Sequence, residues 1–200
     1  MRLQSGFSLV EMVVVLVIMG IVMALGLTSY RSYIANQKIS STAEVFMSGL
    51  QMARAEAVKL NRRVEFILTD EAPTPASVAT ASTSTTGRNW MVRALAAGGN
   101  TFIEGKSGAE GSGAATAAGS SVAVTGSVSA VTFDGFGMPV GLAAAATFQF
   151  SKSLAASDDK NKCVADGGEI RCLVVRLSRG GQTRLCDPAV AATDTRACGT

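Results

Sequence analysis

The sequence contains no histidine. That removes His-containing catalytic triads, His-ligated metal sites and the commonest general base together. It has no C-x-x-C pair and no G-x-S-x-G elbow, so neither a redox or zinc knuckle nor a hydrolase nucleophile is indicated. Charge is sparse. Eighteen Lys and Arg against fifteen Asp and Glu leave a net charge of +3 over 200 residues. A balance so near neutral does not announce a nucleic-acid binder, and any basic footprint has to be local. Asp158, Asp159 and Asp166 lie in a lysine-mixed loop and read as solvated charge. No enzyme, no metal and no cofactor is expected. Proline is scarce too, with four in the chain and none between residues 7 and 61. Nothing there forbids one long helix.

What is present begins at the front. "GFSLVEMVVVLVIMGIVMALGL", residues 6–27, is an apolar segment with a single charge, Glu11. A cleaved secretory signal has an apolar run of about 7–15 residues and a small-x-small exit. This run is longer and lacks a clear Ala-x-Ala. A membrane helix needs roughly 20 predominantly apolar residues, and residues 7–27 form a run of 21 broken only by Ser8 and Glu11. The lone carboxylate is then costly unless paired, which marks it as functional. Cleavage after Gly6 would give Phe7 a free amine. Glu11, one helical turn on, could meet that amine in its own chain or in a neighbour. In an apolar interface such a pair fixes register.

The run Gly6-Phe7-Ser8-Leu9-Val10-Glu11 resembles the prepilin signal of type IV pilins and type II secretion pseudopilins. The resemblance implies cleavage between Gly6 and Phe7 by a prepilin peptidase, N-methylation of Phe7, and a role for Glu11 in assembly. It also implies a precursor anchored once in the bacterial inner membrane, its head in the periplasm, that later joins a pilus or pseudopilus. The implied partners are other pilins and minor pilins, the prepilin peptidase and an inner-membrane assembly platform.

The helical pattern continues past the apolar run. Ile39, Ala43, Phe46, Leu50, Ala53, Ala57 and Leu60 recur at steps of 4, 3, 4, 3, 4, 3, one stripe on a helix. Alanine at three of the seven positions favours close packing on a sheet over a coiled-coil seam. A helix over residues 7–61 would be roughly 80 Å long, with Gly20 and Gly26 as points where it could bend. Asn61 reads as its end. Short strands are then expected around residues 62–68, 88–95, 127–133, 146–150, 171–178 and 182–187. Residues 73–86 and 105–121 read as loops, and Asp134-Gly135-Phe136-Gly137-Met138-Pro139 as a turn.

"LQMARAEAVKLN", residues 50–61, resembles the L-x-x-A-R-x-E-A-x-x-x-N signature of the GspH/FimT family of minor pilins and pseudopilins. Trp90 in its strand, "TFDGFGMPVG" and "GGQTRLCDP" are similar to that family as well. The implied fold is α+β: a type IV pilin-like long N-terminal helix on an antiparallel β-rich head. The expected organisation is a leader at 1–6, the helix at 7–61 with its anchor at 7–27, and a head at 62–200. One departure is Thr28, where many members carry proline. Arg54 and Glu56, inside the signature, read as structural, tying the helix to a loop or lying on its wet face.

Residues 171–188, "RCLVVRLSRGGQTRLCDP", read as a basic hairpin. A two-residue turn would place Leu185 opposite Arg176 on the wet face. A three-residue Arg179-Gly180-Gly181 loop sets Leu185 against Val175 and Arg184 against Arg176, keeping the apolar face apolar. Like charges directly opposite invite an anion, and guanidinium matches phosphate in bidentate geometry. FimT-type minor pilins that bind DNA for transformation carry G-R-x-R here. Gly181-Gln182-Thr183-Arg184 matches the glycine and the last arginine only, leaving Arg176 or Arg179 to compensate for Gln182. Two readings stay open: a double-stranded-DNA contact through Arg176, Arg179, Gln182 and Arg184, or a merely solvated hairpin.

All four cysteines fall in the last 38 residues, which suggests two disulfides and an oxidising compartment. The preferred register sets Cys172 opposite Pro188 and Cys186 opposite Val174, so a direct 172–186 bond needs a diagonal reach. The pairing expected is Cys163–Cys172 and Cys186–Cys198, which would pin the tail beside the arginines.

Overall fold

This computed structural model describes residues 8–107, 122–152 and 159–199, with the side chains of all but 24–31 and 160. The chain divides into two units, residues 1–34 and 35–200, each described by itself. One helix, α1, spans Leu9–Leu60 and is helical through Gly20 and Gly26.

In the first unit every apolar side chain from Leu9 to Met23 is exposed. Among the described residues no helix is long and apolar enough to cross a membrane.

In the second unit the stripe is buried. Ile39, Ala43, Phe46, Leu50, Ala53 and Ala57 are each at most 1% exposed, and Leu60 packs on the same core. The helix stops because Asn61 turns left-handed, at φ 48°. Its N–H donates to Val58 O and that of Arg62 to Ala57 O, both at 3.2 Å. These two bonds are the Schellman closure, with asparagine in the position glycine usually fills.

Beyond the helix come nine strands among the described residues: β1 Val64–Thr69, β2 Asn89–Ala94, β3 Thr101–Lys106, β4 Val122–Gly126, β5 Ala130–Phe133, β6 Pro139–Val140, β7 Ala146–Lys152, β8 Leu173–Leu177 and β9 Thr183–Cys186. They form two sheets, ordered β3-β2-β1-β5-β6 and β4-β7-β8-β9, in which every neighbouring pair is antiparallel. The inner residues of both sheets share one core with the helix stripe. Phe46 is its hub. Its ring lies 4.8 Å from Phe66 of the first sheet, and 4.8 and 5.2 Å from Phe148 and Phe150 of the second. Phe66 in turn stacks on Trp90 at 5.3 Å. Gly49 is what lets that indole reach the helix: a Cβ there would sit 2.7 Å from the Trp90 ring.

Three strands depart from the sequence expectation. β6 is a two-residue pairing with β5 at the end of the expected turn at 134–139. β3 is an edge strand with no fully buried residue, so it carries no alternation to read. β4 does alternate, with Val122, Val124 and Gly126 inward, but its small residues merge with the Gly/Ala/Ser run before it. Most of the expected loop at 105–121 lies outside the described residues. The loop at 73–86 is a cover: Val78 and Ala81 pack on Ile67 and Met91, closing the outer face of the first sheet.

Candidate functional site

The C-terminal hairpin takes the three-residue loop. Val175 pairs with Leu185 and Arg176 with Arg184. Ser178 N donates to Gln182 O at 2.9 Å, and Gly181 N to Ser178 O at 2.9 Å. Gly181 sits at φ 76°, a left-handed residue that reverses the chain without a Cβ penalty. The helix supports this tip from below. Arg54 Nη1 donates to Gly181 O at 3.0 Å, and Gln51 Nε2 to Thr183 Oγ1 at 3.0 Å. Arg54 of the signature is therefore a strut between helix and hairpin, while Glu56 pairs with Lys59 at 2.9 Å.

The two opposed arginines, Arg176 half-buried and Arg184 exposed, both hold carbonyls of the tail. Arg176 Nη1 donates to Cys198 O at 3.2 Å and to Gly199 O. Arg184 Nη2 donates to Ala197 O at 3.1 Å and to Thr195 O. Main-chain carbonyls of the tail thus supply the negative ends that two facing guanidiniums require. The tail is held there by Cys186–Cys198, with Cα atoms 4.9 Å apart, and by Asp187 N donating to Arg196 O at 2.8 Å. Cys163–Cys172 closes the other loop, at 5.4 Å. Buried Asp187 accepts from Arg171 Nε at 2.6 Å and from Ala189 N at 2.9 Å. Asp194 accepts from the Arg196 side chain at 2.8 Å. That bond, then the one from Arg196 N–H, holds its carboxyl down to about 2 from an ordinary 3.8.

Arg179 and Gln182 are exposed at or beside the tip. Arg176 and Arg184 are tied to tail carbonyls while Arg179 stands exposed in the loop, so the four candidate DNA contacts are not equivalent. At the other end of the chain, Glu11 stands exposed in the first turn of α1. Gly6 and Phe7 lie outside the described residues.

Sequence reasoning missed two features. Tail carbonyls as arginine partners leave no trace in side-chain identity. Phe136, 86% exposed at the tip of the turn before β6, does not stand out from the turn's composition; its one signal is an aromatic set between two glycines.

Comparison with known proteins adds the following. The sequence profile described as type II transport protein GspH matches residues 42–181, and that of the prokaryotic N-terminal methylation motif matches residues 1–27. No curated protein matches in sequence. Among solved structures, the chain is similar to the type IV minor pilin FimU of Pseudomonas aeruginosa, with 18% identity over 74% of this chain and 88% of that one, at a TM-score of 0.48. It is also similar to the minor pseudopilin EpsH from the type 2 secretion system of Vibrio cholerae, with 12% identity over 76% and 99% of the two chains, at a TM-score of 0.47.

Proposed function

The chain belongs to the GspH family of minor pilins and pseudopilins, structural subunits and not enzymes, and from that premise we propose that it is a minor pilin of a type IV pilus. The observation that carries the reading is the exposed apolar surface of residues 9–23, interrupted by the single carboxylate of Glu11. Such a surface calls for a bilayer first and the packed helices of a filament afterwards. In this reading the prepilin peptidase cuts after Gly6 and Phe7 is methylated. Residues 7–27 anchor the precursor once in the inner membrane, with the head in the periplasm. Glu11 then pairs with a neighbour's N-terminal amine as the assembly platform adds the subunit.

The test is complementation with the full chain in a strain lacking it. The expected result is restored piliation, with Glu11→Ala retained in the membrane fraction and missing from sheared filaments. A second reading, a pseudopilin of a type II secretion system, is favoured by the transport description of the matching profile. Loss of exoprotein secretion with pili intact would establish it instead.

The proposal extends to double-stranded DNA as something the pilus holds. Arg179, Gln182 and the exposed Arg184 are its outer contacts, with the half-buried Arg176 behind them. Support comes from the exposed guanidinium at a tip braced by Arg54. Binding that weakens steeply with salt, and weakens further in Arg179→Ala, is the expected outcome. No binding near 50 mM salt removes DNA from the proposal.

A further inference from the structure

One end of the head carries an apolar surface that the fold does not use. The turn from Asp134 to Met138 is closed on itself. Asp134 Oδ1 accepts from Phe136 N and Met138 N, both at 2.9 Å, and Asp134 N and Gly137 N add two bonds at 2.9 Å. The turn is seated on the end of α1. A Cβ on Gly137 would lie 3.0 Å from Val58 and 3.2 Å from Arg54, and one on Gly135 would meet Asn61 at 2.6 Å. A rigid mount therefore displays Phe136 at 86% exposure, with Val58 at 52% and Met138 and Val140 at 42% and 41% around it. A turn this firmly built has no need of an exposed phenylalanine for its own stability.

The surroundings are cationic. Arg62 is exposed next to Asn61, and Arg179 stands on the adjoining tip, whose Gly181 meets the carbonyl of Gly137. The acids at hand are engaged: Asp134 within the turn and Glu56 with Lys59. An aromatic and a methionine in the centre, arginine at the edge and few acids make the composition of a protein interface. Two copies meeting through this face would set arginine against arginine, which disfavours a symmetric pair.

We infer that the Phe136 turn is the contact for a different protein, one that offers an apolar pocket rimmed by carboxylates. Within the pilin reading, on which this rests, that partner is another kind of subunit in the same filament, bound head to head.

The test places a benzophenone amino acid at Met138 of the full chain in its own cells, with a second probe at Val15 to report filament entry. The expected result is a cross-link from position 138 to a different filament subunit, identified by mass spectrometry. Its yield should fall about tenfold in Phe136→Ala, a change at an exposed site that leaves folding intact. Arg62→Glu should lower it as well, with recovery when an acid at the cross-linked site of the partner is changed to lysine. Cross-linking at Val15 without any at 138 overturns the inference and leaves the pilin reading standing; absence of both overturns the two together. A cross-link at 138 only to a second copy of this chain, or only to nucleic acid, also overturns it.

Discussion

The two halves of α1 share a secondary structure and differ in almost everything else. From Leu9 to Met23 the apolar residues run all round the helix and none is covered. From Ile39 to Leu60 a single stripe at 4-3 steps is covered by the chain's own sheets, while Val45, Met52 and Val58 lie off it and stay exposed. The first pattern belongs to a helix whose partner is supplied from outside; the second to a helix that brings its partner along. Hydropathy alone would rank the first half as the stronger core, yet it is the weaker contributor to the fold of the chain.

Mutations can break or sharpen that contrast. The largest effect is expected at the hub. Phe46→Ala should destabilise the head by about 3–5 kcal/mol in urea unfolding, because it empties a site shared by both sheets. Cys198→Ser should cost about 2–4 kcal/mol, read as a lower thermal midpoint. Gly49→Ala should cost about 1–3 kcal/mol, since the new methyl meets the Trp90 ring, although alanine favours helix. A smaller effect follows pH. The Asp194 carboxyl is held near 2 against an ordinary 3.8, so its bond to Arg196 supports the tail fully above about pH 4 and is lost as pH falls through 2. Amide exchange of residues 195–199 should quicken over that window, and Asp194→Asn should remove the dependence. Smallest of all, Leu16→Ala in the uncovered half should shift head stability by less than about 0.5 kcal/mol. A shift comparable to that of Phe46→Ala would dissolve the contrast.

Much of this was legible in the sequence where a period or a register was at stake. The stripe announced itself by its 4-3 steps. The hairpin register followed from keeping Leu185 with Val175, and the disulfide pairing followed from the register. The chain concealed what does not depend on side-chain pattern. An edge strand such as β3 is held by main-chain bonds and needs no alternation. Arg176 and Arg184 looked like an unmet demand for an anion because their acceptors are carbonyls, which every residue possesses. Arg54, set down as structural, could not reveal from its own position that it braces a loop 127 residues away.

That last kind of bond has an evolutionary reach. Because the tail answers the two arginines with its backbone, the identity of residues such as Thr195 and Gly199 matters little to those bonds so long as the path is kept. Spacing is what must be inherited: the distance from Cys186 to Cys198, twelve residues here, decides whether carbonyls arrive opposite the guanidiniums. Across relatives with this clasp, the segment should vary in letters outside its anchoring residues Asp187, Asp194, Arg196 and the two cysteines, and hardly at all in length. An alignment scored on identity would discount it as noise, while one scored on gaps would mark it as a constrained part of the head.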